Sequence, residues 1–287
     1  MDSVSVGKQG NIMEATEITL SLSTLIVFGA HILLALVVPF LFYFFFSKKC
    51  GCSGRAFFAG CSAMVAFGVV VPMILNFVLW PTEAGQYICE KPWLYGLVMA
   101  LVAGLIHEPG RYLCAKYFLE DEVWDDYNAI MFGVGYGSVA LLSSAITSAL
   151  GNFLMAMTIV NGQIGDYLGS MSGEELEAVT TSLIVLCATP LEEYIMLIVE
   201  PLIMTVSHVA LSVLVWYAVQ GGKKAWHYLL LAMALNFVLE YAMVVGANYA
   251  GDGMTLQVLR ALLTAGVAYV AVQVWKKEYK PVALDVE

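Results

Sequence analysis

The chain is dominated by apolar runs of about 20 residues or more, opening with "LSTLIVFGAHILLALVVPFLFYFFF" at 22–46. A run of that length, coiled as a helix rising about 1.5 Å per residue, crosses a bilayer core of roughly 30 Å. Charged residues are scarce at 13%, against about 25% in soluble domains. The mean hydropathy is +0.81. The expected fold is therefore all-α: a polytopic transmembrane helical bundle embedded among membrane lipids.

Seven membrane helices are expected, at about 22–46, 56–80, 94–118, 128–160, 191–219, 227–245 and 256–275. The fourth is longer than a perpendicular span requires, so tilt or extension beyond the membrane is anticipated. Between the fourth and fifth lies "EELEAVTTSLIVLCATPLEEY", whose apolar run is too short to span and which Pro190 interrupts. A short surface-bound or re-entrant helix near 177–189 fits that stretch. The organisation reads as a polar N-terminal segment 1–21, one integral membrane domain 22–275 and a C-terminal tail 276–287. The polar segment has no basic region ahead of a small-residue cleavage site, so no cleavage is expected.

Basic residues give the orientation. On an alternating path, Lys48, Lys49, Arg55, Lys116, Lys223, Lys224, Lys276, Lys277 and Lys280 fall on one side, and only Lys8, Lys91 and Arg260 on the other. The richer side is the cytoplasmic one, which predicts a multi-pass protein of the cell membrane, a bacterial plasma membrane, with the N-terminus outside and the C-terminus cytoplasmic. The formal charge of −10 belongs to short loops, such as "FLEDEVWDDYN" at 118–128. No basic patch of useful size is present, so nucleic acid is not an expected partner. The six cysteines lie mostly within or beside apolar runs, where they act as small hydrophobes rather than a disulfide framework. Small residues crowd "FGVGYGSVALLSSAITSALG" in the fourth helix, a composition that lets helix backbones approach closely.

Against this background a few polar residues stand out. The third helix carries "HEPGR", in which His107 and Arg111 share a face with Glu108 at its edge. Pro109 removes a backbone donor there. On the fifth helix Glu200 and His208 are eight residues apart, about 12 Å along the axis. On the sixth, Asn236 and Glu240 share a face. Ionisable groups in hydrocarbon turn inward and pair, and an Arg111 partnered by Glu108 or Glu200 is the simplest arrangement. That leaves three readings of the residues open: a structural network, a transport or binding cavity, or a metal-dependent enzyme. Zinc hydrolysis needs about three protein ligands and a water. His107, Glu108, His208 and Glu240 are the donors available, and there is no "HExxH".

At these positions the chain resembles the YhfC type of bacterial intramembrane metallopeptidase, a family distantly similar to CAAX-prenyl endopeptidases and to the Aph-1 subunit of gamma-secretase. The resemblance spans about 20–275 and rests on the order of several motifs. In "HEPGR", Glu108, Gly110 and Arg111 match, and His107 replaces the family's first glutamate. In "FGVGYGSVA", Tyr136 stands for a histidine and Ala140 for a glutamate. "EPLIMTVSHVALSVLVWYAV" keeps Glu200 and His208 with Pro201 in place of an arginine, and "NFVLE" has Asn236 where a histidine precedes the acid Glu240.

The resemblance implies a CAAX-protease-like core. It also implies that His107, Glu108, Arg111, Glu200 and His208 are the catalytic positions if activity persists, with zinc on His107, Glu108 and His208 in that event. The substitutions instead favour a bundle with no cofactor that holds a transmembrane helix or hydrophobic peptide, with Tyr136, Asn236 and Glu240 lining the cavity. In that arrangement Tyr136 is expected to fill the former metal position, hydrogen-bonded to the third or sixth helix. The alternatives are a divergent but active metalloprotease and, more distantly, a small-solute transporter.

Overall fold

The computed structural model describes residues 19–122, 125–249 and 253–279. Most of the polar N-terminal segment and the end of the tail, with Lys8 and Lys280, lie outside the described residues. Among the described residues, seven helices are long and apolar enough to cross a membrane: α1 (Leu22–Cys50), α2 (Gly54–Val78), α3 (Pro92–Phe118), α4 (Tyr127–Val160), α5 (Leu191–Lys224), α6 (Trp226–Gly246) and α7 (Gly253–Glu278). No strand occurs among the described residues. The protein is an all-α, multi-pass membrane bundle.

Local chemistry sets the helix ends. The Ser21 hydroxyl caps α1 by accepting from the Thr24 amide, and Gly51 closes it in the left-handed region at φ 69°. Ser53 then caps α2 through the Arg55 amide. A short helix, Glu83–Cys89, starts on Thr82 and links α2 to α3.

The helices differ in how much they bury. In the apolar windows of α4 and α5, 67% of residues are buried, against 22–39% in the other spans. Those two helices form the centre of the bundle. α2 packs on α4, α7 on α5, and α6 lies between α3 and α5. Outward-facing residues such as Phe40, Phe77 and Leu262 are exposed and belong to the lipid side.

Glycines on α4 explain its central place. A Cβ on Gly133 would stand 2.5 Å from the Val209 Cα, and one on Gly137 would stand 2.7 Å from the Thr205 methyl. On another face, a Cβ on Gly135 would collide with the Phe57 carbonyl, and one on Gly60 with the Phe132 carbonyl. The small-residue pattern thus lets two backbones, α2 and α5, meet α4 at once.

The helix ends confirm an alternating path. At one end the Gly253 amide donates to Glu193 at 3.0 Å. At the other, Gln220 donates to Asp126 at 2.6 Å, Arg55 pairs with Glu122 at 3.0 Å and Tyr228 donates to Glu278 at 2.6 Å. The stretch expected to be a short non-spanning helix forms Gly173–Ala188. It lies against the flank of the bundle, with Leu183 and Leu186 buried among Phe28, Ala149, Ala156 and Tyr194. The Tyr194 hydroxyl donates to the Leu186 carbonyl at 2.8 Å.

Candidate functional site

The polar residues of "HEPGR" come from a helix that changes pitch just before them. Residues Ala103–His107 form a wide, π-helical turn, and regular α-helix resumes at Glu108. Such turns loosen the backbone ladder, and Pro109, lacking an N–H, adds to this. The Asn236 amide on α6 exploits the opening, donating to the Ala103 carbonyl at 3.1 Å and to Glu108 Oε1 at 2.7 Å.

Arg111 fills the centre. Its Nη1 lies 3.6 Å from Glu108 Oε2, and neither side chain is exposed. The same nitrogen donates to the His208 carbonyl at 3.2 Å, while Nη2 approaches His208 Nδ1 at 3.4 Å. A guanidinium has no acceptor, so Nδ1 accepts and the ring proton sits on Nε2. The guanidinium also lies over the Tyr136 ring, 4.0 Å from its centroid, and the Tyr136 and His208 rings are 4.8 Å apart. A ring face stabilises a desolvated cation in this way. Gly110 permits the fold beside it, because a Cβ there would enter the Phe67 ring.

This donor set does not suit zinc. His107 Nε2 and His208 Nε2 are buried without a hydrogen-bond partner, which is the feature a metal site would need. But Nε2 of His208 carries the proton in the tautomer that Arg111 imposes, and Glu108 is engaged by Asn236 and Arg111. Among the described residues no three His, Cys, Asp or Glu side chains are grouped to hold an ion, and about three are required.

Of its two expected partners, Arg111 pairs with Glu108. One expectation needs correcting. Tyr136 is held through its ring face, since its hydroxyl has no hydrogen-bond partner among the described residues. Tyr136 and Asn236 are buried beside Arg111. Glu200 stands apart from His107, Glu108, Arg111 and His208 and pairs with Arg260 at 2.9 Å. Arg260 lies buried in α7. The sequence signal for it was the polar stripe Gln257, Arg260 and Thr264, spaced at helical intervals on an apolar helix. Gln257 Nε2 donates to Glu200 Oε2 at 3.2 Å, and Thr264 bonds Ser207 at 2.8 Å.

Beyond this buried knot lies an open cavity of about 530 Å³ between α3, α5, α6 and α7, toward the end where α5 and α7 begin. Glu200, Glu240, Arg260, Tyr95 and Met243 are among its lining residues.

The YhfC intramembrane metalloprotease family matches residues 34–264. The "Uncharacterized membrane protein YhfC" of Bacillus subtilis (strain 168) is 26% identical over 192 residues, which cover 66% of this chain and 73% of that protein. No solved structure matches the chain. The family match takes in α2 to α6 whole and most of α1, together with every residue of the knot, so the chain belongs to the YhfC intramembrane metalloprotease family.

Proposed function

We propose that this chain is a non-catalytic member of its family, whose CAAX-protease-like bundle binds a transmembrane helix or hydrophobic peptide without cutting it. The observation that carries this reading is the set of side chains that fill the site. Tyr136 and Asn236, which stand where the family's motifs have histidines, are buried against Arg111 and Glu108, and His107 replaces the first glutamate. His208 is left as the one expected imidazole, with its Nδ1 turned to Arg111. The integral domain 22–275, set in the plasma membrane with its N-terminus outside, completes the proposal.

The test is elemental analysis of protein purified without chelator, alongside incubation with a one-span hydrophobic peptide bearing a photo-crosslinker. The expected result is no stoichiometric zinc, an uncut peptide and a crosslink to the bundle. About one zinc per chain, lost in His208→Ala, would overturn it and favour the divergent protease.

A further inference from the structure

The open cavity shares no lining residue with the knot around Arg111. Its charges do not balance. Glu200 is committed, with Arg260 on one oxygen at 2.9 Å and Gln257 on the other at 3.2 Å. Glu240, half-buried on α6, has no hydrogen bond or ion pair among the described residues. Among the described residues Arg260 is the one base in the lining, set against two carboxylates, and its ion pair is with Glu200. One carboxylate is therefore left facing the cavity from within a membrane bundle, where ionisable groups ordinarily pair and an unpaired one marks a functional site.

The remaining wall is chiefly apolar, with Met204, Met243, Val244 and Leu256 contributing. Methionine is an adaptable lining for small apolar groups. The volume falls within the range of small-molecule sites, about 300–1,000 Å³, and an apolar wall with a few convergent polar groups is the usual design of such sites. A carboxylate only accepts hydrogen bonds, so the matching group must donate and carry positive charge.

We propose that this cavity binds a ligand consisting of one primary ammonium group and a compact apolar body, with Glu240 receiving the ammonium. Such a group can arrive on a free amine or on the ethanolamine headgroup of a lipid. The inference goes beyond the reading of the knot and does not depend on it.

The test uses full-length protein in micelles, phenethylamine as probe, and melting shift with saturation-transfer NMR as readouts. Phenethylamine should bind saturably, and neutral 2-phenylethanol at least about tenfold more weakly, a difference of about 1.4 kcal/mol. Glu240→Gln should weaken the amine by a similar factor while keeping the parent elution profile. Met204→Trp, which fills the cavity and leaves Glu240 in place, should abolish binding and decides the matter if Glu240→Gln does not fold. Displacement by dihexanoyl phosphatidylethanolamine assigns the site to the lipid headgroup, and failure to displace assigns it to free amines. Equal binding of the alcohol, undiminished affinity in the Glu240 and Met204 variants, or no saturable amine binding would overturn the proposal. Zinc content is read separately: a zinc-loaded protein that binds amine overturns only the non-catalytic reading, and a zinc-free protein that ignores amine overturns only this one.

Discussion

Two of the arginine–glutamate pairs in this bundle stand in opposite settings. Arg260 and Glu200 are 2.9 Å apart, but the Glu200 side chain is 33% exposed at the edge of an open cavity. Arg111 and Glu108 are 3.6 Å apart with neither side chain exposed at all. Distance alone would rank the first pair higher. The surroundings reverse that order, because water can solvate whatever the first pair leaves behind, and nothing but protein can do so for the second. The knot around Arg111 is a closed structural centre, and the cavity beside Glu200 is an open one suited to a ligand.

The largest effect separating the two belongs to Arg111→Ala. It strands Glu108 in a site without water, where breaking one side of a buried pair costs about 3–5 kcal/mol. The folded yield in detergent and the melting temperature should both fall sharply. Parent-level melting would remove the distinction between the pairs. Arg260→Ala should cost much less, about 1 kcal/mol or below once solvent screening at the cavity edge is allowed for, and a loss equal to that of Arg111→Ala would show that the cavity is not wet.

The smallest effect is one of access. Cys89 is exposed and lines the cavity, so an impermeant maleimide should label it in intact cells. Cys50 should label only once the membrane is opened. Cys52 should stay slow even then, since it is buried in the α1–α2 link and burial pushes its thiol up to about 12. Label on Cys50 but not Cys89 in intact cells would invert the orientation.

The lengths of the spans were legible because hydrophobic run length maps directly onto bilayer thickness; the fourth was expected at 128–160 and forms Tyr127–Val160. The Glu108–Arg111 contact was also legible, being one helical turn. What the sequence could not supply is which face of each helix turns inward. A helix surrounded by lipid is apolar on the outside as well as the inside, so the usual contrast between faces is missing. Hence the pairing of Arg260 with Glu200, and the seat of Arg111 against a carbonyl and a ring from α5 and α4, appeared only with tertiary packing.

The wide turn at Ala103–His107 has a meaning in terms of chain length. Each added residue rotates the remainder of a regular helix by about 100°. A single π-helical turn takes up one residue without that rotation. Without it, α3 would carry Glu108 and Arg111 around by more than a quarter of a circle, away from Asn236 and His208 and toward the lipid. The turn therefore acts as slack in the chain, storing one residue so that the outer and inner halves of α3 each keep their own alignment with their neighbours.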